Sequence, residues 1–156
     1  MERITRVFAD DRLTGAGVYS NAVIVDLGEV YRITFAGIVA VDPASGSVAG
    51  YEGHNGEFAP DALEQQVADV FRQAERLMEA VARRTGKPVT LADLTGALAF
   101  LREDYPLAMR RFNDAYAAEF EKRGVGHYPI RTTVMKVTLP APAALVEIQF
   151  EAVVEK

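Results

Sequence analysis

Residues 129–154 read PIRTTVMKVTLPAPAALVEIQFEAVV, and this stretch decides the fold. It contains two runs rich in β-branched residues, 131–137 and 145–154, which are typical of strands. Between the runs lies Pro140-Ala141-Pro142, whose prolines fix φ and make the connection rigid. The chain is therefore expected to close with two strands.

Two helices and a further strand are predicted upstream of this pair. Residues 94–101 are apolar and predict a strand, and a helix is expected from about residue 105 to 122. A longer helix opens at residues 60–61 and ends at residues 85–88, where a glycine and then a proline stop it. Apolar residues recur at helical spacing and give each helix one buried face. They are Leu63, Val67, Val70, Phe71, Ala74, Leu77, Met78 and Val81 in the longer helix, and Leu107, Phe112, Ala115, Tyr116 and Phe120 in the shorter one.

The first third of the chain predicts more strands. Residues 20–25 and 30–41 are rich in β-branched and aromatic residues, and residues 27–29 between them predict a short hairpin connection. Residues 42–46, Asp-Pro-Ala-Ser-Gly, predict a turn, and residues 51–60 an extra surface loop. The predicted order is β-β-β-α-β-α-β-β. This indicates an α/β fold with one mixed sheet and two helices packed on one face.

Composition restricts the classes of function. The chain has 156 residues, which favours a single domain over residues 1–156, and no cysteine, which excludes thiol catalysis and thiolate metal sites. No secretory signal or membrane span is readable, so the prediction is a cytoplasmic protein that does not bind membranes. Its net charge of -5 argues against nonspecific binding to nucleic acid. The cations Arg83, Arg84 and Lys87 are explained by a helix C-terminus.

Several short motifs, in order, resemble those of the Rid family, also called YjgF-like proteins. That family carries a Pro-Tyr-Ser entry, a Ser-Gly-Gln segment before an Asp-Pro turn, an Asn-x-x-Tyr helix, a Pro-x-Arg strand and a final Val-Glu-Ile strand. The resemblance runs from about residue 15 to 154. The matching segments are Val18-Tyr19-Ser20, Ala36-Gly37-Ile38, Asp42-Pro43-Ala44-Ser45-Gly46, Gln65-Gln66, Asn113-Asp114-Ala115-Tyr116, Pro129-Ile130-Arg131-Thr132-Thr133, and Leu139-Pro140 followed by Leu145-Val146-Glu147-Ile148.

The resemblance implies both a fold and a reaction. The fold is that of the chorismate-mutase-like trimers, with a cleft between neighbouring subunits. The reaction is hydrolysis of a small 2-imino acid, such as 2-aminoacrylate or its tautomer 2-iminopropanoate, to a 2-keto acid and ammonia. Neither an organic cofactor nor a metal is implied. Val134 and Ile148 are the residues expected to contribute to the trimer contact, because an apolar sheet face left open by the helices favours association.

The same resemblance implies roles for individual residues. Arg131 matches the arginine that binds the substrate carboxylate, and a guanidinium fork suits that ligand. Taken alone, Arg131 is better explained as an ordinary strand arginine paired with a surface acid, and only the resemblance to the family favours carboxylate binding. Glu147 matches the glutamate that activates water, although it also fits the polar side of an alternating strand. Tyr19 matches a catalytic tyrosine that is expected to line the cleft and to hydrogen-bond to substrate or water through its hydroxyl. The remaining matches are the substrate-binding candidates Gly37, Ala36, Ile38, Thr133 and Asn113.

Three departures from the family pattern leave alternatives open. Ala36 and Ile38 stand where many deaminases have Ser and Gln, and the segment 51–60 is longer than expected. A more apolar cleft favours a pathway-specific enzyme that acts on a larger apolar substrate. A third alternative is a trimeric protein that binds a metabolite without catalysis. His54 and His127 fit no metal-ligand spacing.

Overall fold

A computed structural model describes residues 3–8, 19–42, 44–52, 56–102 and 107–156. Within these ranges it contains nine strands and two α-helices. The strands are β1 (Ile4–Val7), β2 (Ala22–Asp26), β3 (Val30–Phe35), β4 (Ile38–Val39), β5 (Tyr51–Glu52), β6 (Glu57–Phe58), β7 (Leu94–Leu101), β8 (Ile130–Met135) and β9 (Val146–Glu155). The helices are α1 (Ala62–Thr85) and α2 (Ala108–Lys122), with a short 3-10 helix at Leu91–Asp93.

The main sheet has the order β1-β2-β3-β9-β7-β8, and β4 pairs with β9 beyond the end of β3. Pairing is antiparallel except between β7 and β8, which are parallel and joined through α2. The sheet is therefore mixed, as predicted. The last strand of the chain lies in its interior, between β3 and β7.

Strand β9 shows which side of the sheet is the core. Its even-numbered residues from Val146 to Val154 are buried, whereas Glu147, Gln149 and Glu151 are half-buried on the other side. The buried side faces α1, whose apolar stripe from Leu63 to Val81 is also buried. The two predicted helices on one face are confirmed. The opposite side, which we call the open face, is covered by no described helix.

Ile148 corrects one expectation. It was predicted to contribute to a trimer contact, but its side chain is completely buried in the core on the helix side. Its position in the alternation of β9 places it there, because neighbouring residues of a strand point to opposite faces. Val134, the other candidate, is 38% exposed.

The helix and strand bounds follow the predictions closely. Strand β7 and the end of α1 lie where they were expected, and Gly86 closes α1 in the left-handed conformation with φ 71°. Helix α2 also ends at the predicted residue. Residues 105 and 106, where it was expected to begin, lie outside the described residues.

Three local features differ from the predictions. The expected strand 30–41 is split into β3 and β4 by residues 36 and 37. Strand β1 was not identified, because Ile4–Val7 is short, lies at the sheet edge and includes an arginine. The segment 51–60 was expected to be a loop but contains the two-stranded pairing of β5 with β6. The tilted contact between the rings of Tyr51 and Phe58, 5.2 Å apart, accompanies this pairing.

Gly50 provides a test of the packing between this segment and α1. It has φ 68°, and a Cβ there would lie 2.6 Å from the Cα of Ala62. Gly46 has φ 72° but nothing within 4 Å of its Cβ position, so it is a matched control. Gly46→Ala should cost about 1 kcal/mol of unfolding free energy through backbone strain. Gly50→Ala should cost roughly 1–3 kcal/mol more, because it also creates a clash with helix backbone.

Urea unfolding of the two variants and the unsubstituted protein measures this difference. Equal losses of stability in both variants would contradict the close approach of residue 50 to α1.

Candidate active site

Glu147 lies on the open face of β9. Its partners in the neighbouring strands are Val39 of β4 and Phe100 of β7. The side chain is half-buried, and no described residue donates a hydrogen bond to it or forms an ion pair with it. Burial raises the pKa of the Glu147 carboxyl above its ordinary value. A carboxyl with a raised pKa holds a proton more readily than an ordinary glutamate, so it can both accept and donate a proton in a reaction.

Gly37 explains how the Glu147 carboxyl fits against the sheet. Thr34 of β3 lies opposite Glu151 of β9, and Ile38 of β4 lies opposite Ile148 of β9. The chain therefore advances four residues from β3 to β4 while β9 advances only three. One extra residue is thus accommodated between β3 and β4, as in a β-bulge. A Cβ at Gly37 would overlap Oε1 of Glu147 and lie 2.9 Å from its Cδ. The space that a side chain would fill is occupied by the carboxylate.

Tyr19 and Ala36 lie near the same end of the sheet. The backbone N–H of Ala36 donates to the carbonyl of Asn21 at 2.8 Å, so the chain that enters β2 runs beside residues 36 and 37. Tyr19 is two residues upstream of Asn21, and its side chain is 46% exposed. Ala36 is half-buried. The backbone thus brings three of the predicted site positions, Tyr19, Ala36 and Gly37, into one region. Val18 lies outside the described residues.

Ile38 is placed differently from the prediction. It was expected in the wall of the cleft, but its side chain is 2% exposed and packs in the core on the helix side, opposite Ile148. It follows Gly37 directly, so its side chain points to the other face of the sheet. A hydrophobic residue at this position is required by the core and gives no information about the ligand.

Arg131 lies on β8, on the helix side of the sheet. It is opposite Ala97, which is buried, and Nη2 of its guanidinium donates a hydrogen bond to Oδ1 of Asn113 on α2. The guanidinium carbon is 4.8 Å from the ring centroids of both Phe112 and Tyr116. No described carboxylate forms an ion pair with Arg131. The alternative of a strand arginine neutralised by a surface acid is therefore not what the described residues show.

Two arginines that contact α1, Arg123 and Arg111, are neutralised by ion pairs. Arg123 binds Glu75 on α1, at 2.6 Å, and Glu119 on its own helix, also at 2.6 Å. Glu119 is 4% exposed; its burial raises the carboxyl pKa, but hydrogen bonds from Lys122 and Arg123 outweigh that effect, so the pKa is lowered overall. Arg111 likewise pairs with Glu64. Against these pairs, the free guanidinium edge of Arg131 is a candidate anion-binding group.

Thr133 and Asn113 lie close to Arg131 in the fold. Thr133 is two residues farther along β8, so it shares the helix side of the sheet, where it is half-buried opposite Ala99. Asn113 is exposed on α2, and its contact in the structure is with Arg131. These three predicted residues form one group at the sheet edge.

The structure does not bring the two groups together within one chain. Arg131 lies opposite Ala97 and Glu147 opposite Phe100, three residues apart on β7, where the side chains of Ala97 and Phe100 point to opposite faces. The predicted carboxylate clamp and acid are therefore separated by the sheet. A site that uses both must be completed by a second chain.

Phe112 and Tyr116 contact the candidate residue Arg131, which the sequence did not indicate. Their i, i+4 spacing predicted a shared helix face, which was interpreted as core. Both are indeed buried, at 0% and 4% exposure, but their rings also contact the Arg131 guanidinium. No local signal indicates this second contact, because it joins α2 to a strand farther along the chain.

The described residues show no cluster of three or more His, Cys, Asp or Glu side chains that could hold a metal ion. His127 is exposed, and its Nε2 lies 3.0 Å from the carbonyl oxygen of Ala92. His54 lies outside the described residues. In the same described part of the chain, no helix is both long and apolar enough to cross a membrane.

The chain matches one protein-family model and is similar to several solved structures. A family model described as endoribonuclease L-PSP matches residues 9–154. A solved structure from Vibrio vulnificus, titled a putative translation initiation inhibitor, is 26% identical over 96% of this chain and 100% of that one, with TM-score 0.63.

Two further solved structures are similar in fold. A protein of unknown function of the Rid family from Yersinia pestis is 21% identical, with 97% and 99% of the two chains covered and TM-score 0.69. RidA from an Antarctic Psychrobacter is 19% identical, with 96% and 99% covered and TM-score 0.67. No curated protein sequence matches the chain.

The contact between residue 37 and the carboxyl of Glu147 can be tested without a substrate. Gly37→Ala should displace the carboxyl toward water, so that its raised pKa falls back toward an ordinary glutamate value. The measurement is a pH titration of the glutamate side-chain carboxyl carbons by NMR. Gly96→Ala is the matched control, because its Cβ would lie 3.6 Å from the nearest atom of Glu151, an ordinary contact. An unchanged Glu147 titration in Gly37→Ala would show that the carboxyl does not occupy this space.

Proposed function

This chain belongs to the Rid family, which its matching model describes as endoribonuclease L-PSP, and on that premise we propose that it is an imine deaminase. The proposed reaction is hydrolysis of small 2-imino acids of the 2-iminopropanoate type to 2-keto acids and ammonia. The observation that carries the proposal is the guanidinium of Arg131, which is held by Asn113 and two rings but neutralised by no described carboxylate.

Arg131 supplies the group that binds substrate. A 2-imino acid presents a carboxylate directly attached to the reacting carbon, and a guanidinium can bind both carboxylate oxygens through parallel hydrogen bonds. Binding of the carboxylate therefore fixes the position of the neighbouring C=N carbon. This orientation contributes to the rate by placing that carbon for attack.

Glu147 supplies the proton transfers. Water adds to the carbon of the protonated imine and loses a proton to the Glu147 carboxylate, which gives a neutral carbinolamine. The Glu147 carboxyl returns this proton to the nitrogen, and ammonia leaves as the C=O bond forms and the carbinolamine hydroxyl gives its proton to the Glu147 carboxylate. A half-buried carboxyl whose pKa is raised by burial can serve in both steps.

The assembly we propose is a homotrimer with sites between subunits. Arg131 and Glu147 lie on opposite faces of one sheet, so a site containing both requires the Arg131 edge of one subunit to meet the open face of the next. The open face is suited to a contact between subunits, since Leu98 and Phe100 are only partly buried there and Val134 is 38% exposed. Association would remove this apolar surface from water.

The remaining proposals concern substrate size and location. Ala36, half-buried next to Gly37, keeps open the alternative of a larger apolar substrate, whereas Ile38 no longer supports it.

Some similar structures have titles that refer to endoribonuclease or translation inhibition. A net charge of -5 gives this chain no general attraction to RNA phosphates. We propose a cytoplasmic location, which suits a chain without cysteine.

Release of ammonia from freshly generated 2-iminopropanoate tests the reaction, and Arg131→Lys tests its main residue. Lysine keeps the charge but not the planar fork, so kcat/KM should fall roughly 30- to 1000-fold. Arg76→Lys, on the exposed side of α1, is the control and should keep full activity. The absence of ammonia release above the uncatalysed rate in the unsubstituted protein would disprove the deaminase. Equal turnover by Arg131→Lys would remove Arg131 from the site.

Mixed assemblies test whether sites are shared between subunits. Arg131→Ala and Glu147→Ala should each be inactive alone, because every site lacks one group. Unfolding and refolding the two variants together should restore activity at about a quarter of the sites in randomly mixed trimers, since some interfaces then receive both groups. No recovery in mixed trimers, with both variants shown to be folded, would mean that each chain builds its site alone.

A further inference from the structure

Two aromatic residues one turn apart on α2 contact the guanidinium of Arg131. The guanidinium carbon lies 4.8 Å from the ring centroid of Phe112 and 4.8 Å from that of Tyr116. The two centroids are 5.6 Å apart, and the ring planes are inclined by 51°. The guanidinium therefore sits over the gap between the rings, which we call the aromatic cleft and define as Phe112 and Tyr116.

The aromatic cleft is buried and closely packed. Phe112 is 0% exposed and Tyr116 4% exposed. Phe71 and Phe120 pack against the Tyr116 ring, with centroids 5.4 Å and 5.1 Å away. A cation over a ring face is attracted by the ring quadrupole, and the attraction grows when water is excluded. This environment therefore restrains the guanidinium before any ligand arrives.

Asn113 completes the restraint. Its Oδ1 accepts one hydrogen bond from Nη2 of Arg131, which limits rotation of the guanidinium in its own plane. The rings limit its tilt. A guanidinium has five N–H donors, and this hydrogen bond uses one of them. Donors on the remaining edge stay available for a planar anion.

We propose that the aromatic cleft is a positioning device for Arg131, which holds the guanidinium so that its free edge meets a single planar carboxylate. The inference rests on the proposed function, in which Arg131 binds the substrate carboxylate. Its energetic basis is preorganisation: arginine loses much rotamer freedom on binding, and a side chain that is already restrained loses less. Phe112 and Tyr116 do not touch the reacting atoms, so they act through Arg131.

Tyr116 allows the contribution of the ring to be separated from that of the hydroxyl. The Tyr116 hydroxyl is buried and has no hydrogen-bond partner among the described residues. A buried hydroxyl without a partner costs free energy. Tyr116→Phe should therefore keep the aromatic cleft and raise the unfolding midpoint, whereas Tyr116→Leu removes the ring face.

The first experiment observes the guanidinium directly. In the protein labelled with 15N-arginine, ring currents should shift the Arg131 side-chain protons upfield relative to those of the exposed Arg76. The shift should persist in Tyr116→Phe and largely disappear in Tyr116→Leu. Phe35→Leu is the matched control, because it removes a buried ring on β3 that has no ring contact with Phe112 or Tyr116 and should leave the shift in place. An Arg131 spectrum that Tyr116→Leu does not change would overturn the proposal.

The second experiment measures the consequence for an anion, with pyruvate as the probe in a calorimetric titration of the assembled protein. Tyr116→Phe should bind within about twofold of the unsubstituted protein, and Tyr116→Leu roughly 5- to 30-fold more weakly. Equal weakening in both variants would assign the effect to the hydroxyl and overturn the role of the ring. If the unsubstituted protein does not bind pyruvate, the proposed function fails, while the NMR result still decides whether the aromatic cleft positions Arg131.

Discussion

The alternation of side chains along β9 is the constraint on which the rest of the structure depends. This strand pairs with β3, β4 and β7, so its two faces define the two faces of the sheet. Its even-numbered residues lie in the core under α1. Because neighbouring side chains of a strand point to opposite faces, Glu147, Gln149 and Glu151 lie on the open face. Strand β7 also pairs with β8, and paired residues point to the same face of the sheet. The alternation therefore also determines the face on which the Arg131 side chain lies.

Two groups of opposite charge, Arg131 and Glu147, consequently lie on opposite sides of the sheet, and neither forms an ion pair with a described residue. Other half-buried charges of the chain are paired, as in the contacts of Arg123 with Glu75 and Glu119. An unpaired, half-buried charge is unfavourable, and for Glu147 burial raises the carboxyl pKa. Such costs are common at functional sites, where a ligand or a second chain supplies the missing partner. Arg131 and Glu147 are complementary groups that a single chain cannot join.

Much of the fold could be predicted from the sequence, and the site only in part. Gly86 and Pro88 marked the end of α1, and the apolar run 94–101 marked β7, because caps and periodicity are local signals. The bulge at residues 36 and 37 was not predicted, since it exists only as a register shift against β9. The same shift determines that Gly37 faces Glu147 while Ile38 enters the core. The segment 36–38 was interpreted as three consecutive site residues, but it is divided between the two faces of the sheet.

The sequence by itself determined the elements, their order and the residue types available for chemistry. The period of its apolar residues selected one buried face for each helix and strand, and the order of its motifs indicated the family. Only the tertiary structure decided which of those residues meet. The rings of Phe112 and Tyr116 contact Arg131 because α2 crosses over from β7 to the parallel strand β8 and packs above it. Contacts between residues distant in the chain depend on register and crossover geometry, and neither is encoded in any local stretch.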